Sequence, residues 1–253
     1  GTKPLNTPAL TADIRILDTL AEVDAGQWNA LAGSQPFLRH EFLKALEDTG
    51  CVGARAGWLP QFVTLWQDDR LIGAMPLYLK HHSYGEYVFD WAWADAYQRH
   101  GLRYYPKLVC AVPFTPVTGP RLLGDSVETR ALLLSAALDL AKKLGASSLH
   151  CLFPTEAQAQ EMQEQGLLLR SGLQFHWQNH GYADFDAYLA AMSHDKRKKI
   201  KQERRRMRDA GITFEHTVGR DASAEQWAFF EACYRNTYRQ HRSTPYLNLD
   251  FFL

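Results

Sequence analysis

Ionisable and aromatic side chains are concentrated in residues 80–97, which read K-H-H-S-Y-G-E-Y-V-F-D-W-A-W-A-D-A-Y. Aromatic rings provide flat apolar pocket walls, and a carboxylate can serve as the general base that an amine nucleophile needs. The candidate catalytic residues are Asp90, Glu86, Asp95 and Tyr97. An aromatic core edge with its acids facing water is the alternative. The adjacent His81 and His82 point to opposite sides of a strand, so no metal site is predicted.

A second group of candidates lies around residues 113–121, P-F-T-P-V-T-G-P-R, which follow an apolar run. Three prolines and a glycine restrict this backbone, as suits a preorganised binding loop. One glycine is too few for a phosphate cradle, and no acetyl-CoA phosphate loop is visible in the sequence. The predicted substrate-binding residues in this loop and the aromatic segment are Tyr84, Trp91, Tyr105, Phe114, Thr115, Thr118 and Arg121. Tyr97 and Tyr105 are also candidates for protonating a leaving group.

The third group is a basic run, with nine Lys or Arg residues and the single acid Glu203 between residues 196 and 208. Ser193 is a suitable N-cap and Gly211 a suitable C′ residue, which predicts a helix over residues 194–210. A solvated helix face usually mixes charge signs, so this run favours anion binding through phosphate groups of a nucleotide-linked sugar, a lipid head group or RNA. The residues predicted to contact the anion are Lys196, Arg197, Lys198 and Arg204.

The composition is that of a globular protein: 253 residues, 46% hydrophobic and 12% aromatic, with a formal net charge of zero. This length suffices for one large domain or two small ones. No apolar run approaches the roughly 20 residues that cross a bilayer, and the polar residues 1–10 form no secretory signal and are expected to be a loose tail. The four cysteines lack metal-site or disulfide-scaffold spacing, which predicts reduced thiols and a cytoplasmic location.

Hydrophobic periodicity predicts alternating strands and helices, and hence a mixed α/β sheet covered by helices. Strands are predicted at residues 13–17, 61–67, 71–80, 84–91, 105–112, 147–153 and 173–179. Helices are predicted at residues 22–31, 36–46, 126–144 and 156–165. The strands at 61–67 and 71–80 form a hairpin through Asp68 and Asp69.

An internal repeat is the most informative feature of the organisation. Residues 13–17, the helix start around Trp28 and the P-F-L-R-H-E-F-L motif from Pro36 recur as residues 212–218, Trp227 and P-Y-L-N-L-D-F-F from Pro245. Duplication is favoured over chance because the elements keep their order. The second copy then stops inside its helix, so we expect the natural polypeptide to be longer, or this copy to be a cap that lost its sheet.

Several motifs resemble a bacterial family assigned as N-acyltransferases, related to the Fem peptidoglycan aminoacyltransferases. They are residues 83–97, Y-Y-P-K-L from Tyr104, residues 113–121, F-H-W-Q-N from Phe175 and the basic run. The L-x-x-x-S-x-x-x-R-K-K-I pattern from Leu189 is similar to the opening of the second Fem-type domain. The resemblance implies two tandem GNAT-like domains with mixed sheets: residues 12–170, and residues 171–253 as the start of a C-terminally incomplete second domain that contains the basic helix.

The implied activity is N-acyl or aminoacyl transfer from acyl-CoA or aminoacyl-tRNA to the amine of a small molecule or cell-wall precursor, without a metal. Backbone N–H groups would stabilise the oxyanion. Two other function classes stay open. One is a non-catalytic module that binds an anionic glycan or nucleotide-linked ligand, and the other is an RNA-binding protein that uses the basic helix.

Overall fold

The computed structural model describes residues 11–253, so the expectation for residues 1–10 lies outside the described part of the chain. Contacts divide the chain into two units. Unit 1 comprises the chain to Leu169 together with Trp227–Leu253, and unit 2 comprises Arg170–Gln226. The fold is mixed α/β, as the alternation of elements predicts.

One sheet of unit 1 is antiparallel with strand order β1-β3-β4-β7. Its strands are β1 (Asp13–Leu17), β3 (Phe62–Gln67), β4 (Arg70–Met75) and β7 (Leu123–Gly124). The predicted hairpin is confirmed, and Asp68 takes a left-handed φ of 54° in its two-residue turn. Aspartate tolerates this conformation better than most residues, which is why the two strands turn there.

The other sheet has the order β2-β5-β6-β8 and pairs β6 with β8 in parallel. Its strands are β2 (Trp58–Pro60), β5 (Leu77–Lys80), β6 (Lys107–Cys110) and β8 (Leu149–Cys151). The predicted strand at 71–80 is divided at Pro76, where the chain passes from the first sheet to the second. Proline has no N–H for a ladder hydrogen bond, so it suits a point where pairing changes.

The helices are α1 (Ala25–Ala32), α2 (His40–Asp48), α3 (Trp91–Arg99), α4 (Val127–Lys143), α5 (Glu156–Glu164), α6 (Phe185–Ala190), α7 (His194–Asp209), α8 (Ala224–Gln240) and α9 (Leu249–Phe252). Unit 1 has two cores. One contains Ala74 and Tyr78, and the other contains Met75 and Leu77. Successive residues around Pro76 therefore alternate between the two cores.

Helix α4 lies close against the first sheet because two paired glycines leave room for it. Gly73 and Gly124 are cross-strand partners. A Cβ atom would come within 2.9 Å of Thr129 Cγ2 if added to Gly73, and within 2.7 Å if added to Gly124. The N-cap Ser126 accepts a hydrogen bond from the backbone N–H of Thr129, as its sequence position predicts.

The C-terminal end of the described chain packs on α2. The rings of Phe42 and Phe251 meet edge to face with centroids 5.8 Å apart. Asn248 Nδ2 donates to the carbonyl of Thr49 at 2.7 Å, and its Oδ1 accepts from Phe251 N at 3.0 Å. Asn248 thus caps α9 and ties it to α2.

Three predicted strands are wrong. Residues 173–179 and 212–218 form no strand, because alternation alone cannot supply the partner strand that backbone hydrogen bonds require. Residues 84–91 form a loop that leads into α3. Of the second repeat copy, α8 and α9 are present where helices are expected, whereas its strand is not.

Candidate functional site

Two lysines lie directly opposite each other on the antiparallel strands β5 and β6. Lys80 and Lys107 are register partners, and both are 0% exposed. Like charges in this position destabilise a sheet, and a buried ammonium is costly unless it is paired. The fold therefore has to bring anionic groups to this point.

The loop between β5 and α3 brings these anions. Its even-numbered residues Glu86 and Asp90 are 3% and 1% exposed, whereas Tyr87 and Phe89 point outward with left-handed φ values of 62° and 51°. Gly85 has a φ of 80°, and a Cβ there would come within 2.6 Å of the Phe114 ring. This backbone, uncommon for aromatic residues, directs both carboxylates to the lysines.

The ammonium of Lys107 uses all three of its hydrogens. It donates to Glu86 Oε1 and Asp90 Oδ2 at 2.7 Å each and to Ser83 Oγ at 2.9 Å. Ser83 Oγ also lies 2.6 Å from the Tyr105 hydroxyl. Lys107 is therefore a saturated hydrogen-bond centre that links two acids to a tyrosine.

The positive charge of Lys80 is less well compensated than that of Lys107. Lys80 Nζ lies 3.5 Å from the centroid of the Trp58 ring, donates to the carbonyl of Tyr84 at 2.8 Å and is 3.3 Å from Glu86 Oε2. Burial, partly opposed by Glu86, lowers the pKa of Lys80 from 10.5 to about 7. The side chain is thus close to losing its charge at neutral pH.

Asp90 is held ionised. Burial alone would raise its pKa, but hydrogen bonds from Lys107 and Tyr104 outweigh burial and lower it to about 2. The Tyr104 hydroxyl donates to Asp90 Oδ2, and burial followed by this bond raises the pKa of Tyr104. Glu86 and Asp90, expected as bases, are thus enclosed and committed to Lys107, with no exposed surface for direct contact with an amine.

The third acid faces a concavity of about 440 Å³ beside α3. This α3 concavity is lined by Trp91, Ala94, Asp95, Gln98, Leu102, Arg103, Tyr104 and Tyr105. The Asp95 side chain is 64% exposed and lies 3.2 Å from Arg99. Of the predicted residues, the structure brings Trp91, Asp95 and Tyr105 together here. Tyr97 is half-buried and packs edge-on against Tyr104 at 5.2 Å.

The Pro-rich loop lies apart from that lining. Phe114 stacks on Tyr246 with centroids 4.9 Å apart, and Thr115 Oγ1 donates to the carbonyl of Pro113 at 2.9 Å. Thr118 is exposed. Tyr84 is exposed and packs against Trp91 at 5.5 Å.

Arg121, expected to bind substrate, is 1% exposed. Its guanidinium donates to the carbonyls of Leu152 at 2.8 Å, Val117 at 2.7 Å and Pro120 at 3.1 Å. Burial lowers its pKa. Arg121 therefore holds the Pro-rich loop to the strand end at Leu152 and has no surface to offer a ligand.

In unit 2, the predicted basic helix is confirmed as α7, and Gly211 beyond it has a φ of 72°. One stripe of the helix lines a concavity of about 380 Å³, formed by His194, Arg197, Lys198, Lys201, Gln202 and Arg205. Lys196 is exposed outside that lining, and Arg204 lies over the Phe185 ring at 4.3 Å. Arg197 and Lys198 are thus the two predicted residues that meet in this concavity.

A family model, FemAB-like, described as peptidoglycan biosynthesis/recognition, matches residues 19–253. The chain belongs to the FemAB-like family. No curated protein is significantly similar to this FemAB-like chain. A transcriptional regulator from Bacillus halodurans C-125 is similar in structure over 66% of this chain and 100% of its own, at 11% identity and a TM-score of 0.41. That likeness is too slight to support an inference.

Sequence reasoning missed several residues of the candidate site in this FemAB-like chain, namely Lys80, Lys107, Ser83, Arg103 and Tyr104. A signal for the lysines exists, since each stands at the end of an otherwise apolar strand, where lysine is rare. Within residues 11–253, no helix is long and apolar enough to cross a bilayer. The same residues contain no group of three or more His, Cys, Asp or Glu placed to hold a metal ion.

Proposed function

We propose that the protein is an N-acyltransferase that transfers an acyl or aminoacyl group to the amine of a peptidoglycan precursor or a related small molecule. The observation that carries the proposal is membership of the FemAB-like family over residues 19–253. A tandem GNAT-like arrangement and a cytoplasmic location are part of the same proposal. The donor is acyl-CoA or aminoacyl-tRNA.

The α3 concavity supports this chemistry by its lining. An acceptor ammonium must lose a proton before its nitrogen can attack a carbonyl, and the exposed carboxylate of Asp95 in this lining would accept that proton directly or through water. Trp91 and Tyr105 supply aromatic walls, and Arg103 supplies a cation for an anionic part of the ligand.

The proposal is tested by incubating the protein with acetyl-CoA or aminoacyl-tRNA and a peptidoglycan-precursor peptide that carries a free amine. Mass spectrometry should detect an added acyl or aminoacyl group on that amine. The variant Asp95→Asn should lower the rate, whereas Asp186→Asn on α6, an exposed acid of unit 2, should not. An Asp95→Asn enzyme with the full rate would remove Asp95 as the base.

A second candidate function is binding without catalysis, in which α7 recognises an anionic glycan or a nucleotide-linked ligand. The observation that favours it is the basic concavity of α7, which has no carboxylate in its lining. A nucleotide sugar should then raise the melting temperature of the protein while acyl-CoA does not, and Lys198→Glu should abolish the rise. Affinity for RNA that falls steeply with salt would instead indicate an RNA-binding role.

A further inference from the structure

Two cysteines stand side by side on the parallel strands β6 and β8. Cys110 and Cys151 are register partners at the ends of these strands, and both are free thiols. We propose that they form a redox-responsive pair, in which a hydroperoxide oxidises the two thiols to a Cys110–Cys151 disulfide. This site does not share residues with the lining of the α3 concavity, and it does not depend on the proposed function.

The first step of the argument is the distance between the two residues. Neighbouring strands of a sheet lie about 4.8 Å apart, and disulfides join Cα atoms that are roughly 4.4–6.8 Å apart. Cys110 and Cys151 are paired in the ladder between β6 and β8. They are therefore close enough to be joined without separating the strands.

The second step is the direction of the two side chains. Successive side chains point to opposite faces of a strand, so register partners share a face. Cys110 belongs to the core that contains Met75 and Leu77, and Cys151 packs against the same core, whereas Val109 belongs to the other core. Burial and, after it, a hydrogen bond with Cys151 raise the pKa of the Cys110 thiol. The two thiols therefore meet on one face of the sheet.

The third step is the difference in exposure between the two thiols. Cys110 is 0% exposed, whereas Cys151 is half-buried on β8, the last strand in the order β2-β5-β6-β8. The thiolate is the reactive form of cysteine, and burial opposes its formation at Cys110. Cys151 is therefore the thiol that the oxidant reaches first, and Cys110 is the thiol that completes the disulfide.

One hydroperoxide supplies the whole oxidation. The sulfur of Cys151 attacks a peroxide oxygen, the O–O bond breaks, and the thiol proton leaves with the departing oxygen as an alcohol, or as water from hydrogen peroxide. Cys151 is then a sulfenic acid, which condenses with a neighbouring thiol. The sulfur of Cys110 attacks the sulfur of Cys151, the S–O bond breaks, and the hydroxyl leaves with the Cys110 proton as water. The two thiols lose two electrons, and the hydroperoxide gains them.

Oxidation also changes the surroundings of the Pro-rich loop. The Cys110 thiol donates to the carbonyl oxygen of Arg121 at 3.5 Å, and a disulfide has no hydrogen to donate. Arg121 holds that loop through the carbonyl of Val117 and reaches the strand end at Leu152. The disulfide therefore removes a hydrogen bond from the residue that anchors the loop.

The pair is tested by treating the folded Cys233→Ser protein with hydrogen peroxide, because Cys233 is exposed and could join two molecules. Near-UV circular dichroism confirms that the protein is folded during the treatment. Remaining thiols are then alkylated in denaturant, and trypsin places Cys110 on residues 108–121 and Cys151 on residues 144–170. Mass spectrometry should find these two peptides joined, and dithiothreitol should separate them.

Two further variants test the order of the steps. In Cys110→Ala, oxidation should stop at the sulfenic acid, so dimedone should add to Cys151, which it should not do when Cys110 is present. In Cys151→Ala, Cys110 should remain a thiol. Cys51, which is 4% exposed, is the matched control and should stay reduced throughout.

The wild type shows whether the peroxide has acted, because its Cys233 thiol is exposed. If Cys233 is oxidised while Cys110 and Cys151 remain reduced on separate peptides, the pair does not respond to hydroperoxide and the proposal is overturned. Dimedone on Cys110 in Cys151→Ala would overturn the assigned order, since it would show that the oxidant reaches Cys110 directly.

Discussion

Lys80 and Lys107 stand directly opposite each other on β5 and β6, and neither ammonium is exposed. Glu86 compensates both, through Oε2 at 3.3 Å from Lys80 and Oε1 at 2.7 Å from Lys107. A buried ion pair of this kind contributes little net stability when complete. Removing one member lowers the free energy of unfolding strongly, because it leaves an uncompensated buried charge. The site is therefore sensitive to single substitutions.

Replacing Lys107 by Met should destabilise the protein by about 3–5 kcal/mol, since Glu86 and Asp90 are left buried with one cation fewer. Urea unfolding measures the loss. The double variant with Asp90→Asn should recover part of it, because one uncompensated charge is removed. Lys44→Met, which breaks the exposed pair with Asp48, serves as control and should change little. A Lys107→Met protein as stable as the wild type would contradict the burial of these charges.

Lys80 should make stability depend on pH. Its folded pKa of about 7 is below the unfolded value of 10.5, so the unfolded chain binds more protons between these values. The unfolding free energy should therefore rise with pH from about 7, on the order of 1 kcal/mol per unit from this group, and Lys80→Met should lack the rise. Urea midpoints from pH 7 to 9.5 test this. Parallel curves for the two proteins would show that Lys80 keeps an ordinary pKa.

Asp90 should make the stability of the protein depend on pH in the acidic range. Its pKa is lowered from 3.8 to about 2, so its contribution is complete above pH 4 and is lost as the pH falls towards 2. Asp90→Asn should be less stable than the wild type at neutral pH, with the difference shrinking on acidification. Fluorescence-detected unfolding at several pH values follows the difference, and a constant gap would be inconsistent with an ionised, stabilised Asp90.

Arg121→Lys should lower the free energy of unfolding by about 1–3 kcal/mol. The compact ammonium of lysine cannot donate to the carbonyls of Val117 and Leu152 together, as the planar guanidinium of Arg121 does. Thermal unfolding measures the cost, and Arg99→Lys on the exposed face of α3 is the matched control. If Arg121 bound substrate instead, Arg121→Lys would weaken binding and leave the melting temperature unchanged.

Phe251→Ala should destabilise unit 1 by about 2 kcal/mol, below the 3–5 kcal/mol of a fully buried phenylalanine, because Phe251 is only half-buried against Phe42. Phe229→Ala removes a ring that is 72% exposed and should have little effect. Calorimetry of both variants compares the two sites. Equal melting temperatures would mean that α9 does not stabilise α2.

Local signals predicted much of the fold. Asp13–Leu17 has alternating side chains, Ser126 caps α4, and Asp68 begins the hairpin turn, so each is indicated by its own local sequence. Residues 84–91 also alternate, with Glu86 and Asp90 on one side, yet their backbone forms no strand. Alternation of side-chain types indicates which residues share a face of an extended segment. It does not reveal whether a partner strand exists.

The site was predictable in its residue types and less so in its roles. The aromatic and acidic segment, residues 80–97, can be identified from the sequence. Which of its acids is exposed depends on the position of Lys107 on β6. That pairing joins residues far apart in sequence, and nothing local in Lys107 or Glu86 indicates it. The burial of Arg121 is hidden from the sequence for the same reason, since Leu152 reaches it from the end of β8.

The passage of the chain through Pro76 has a consequence for how the protein denatures. Ala74 and Tyr78 belong to one core while Met75 and Leu77 belong to the other, so one continuous segment is held by both. Neither sheet can melt while the other keeps that segment in place. Unit 1 should therefore denature in one cooperative transition, and its slowest-exchanging amides should have similar protection in β4 and β5.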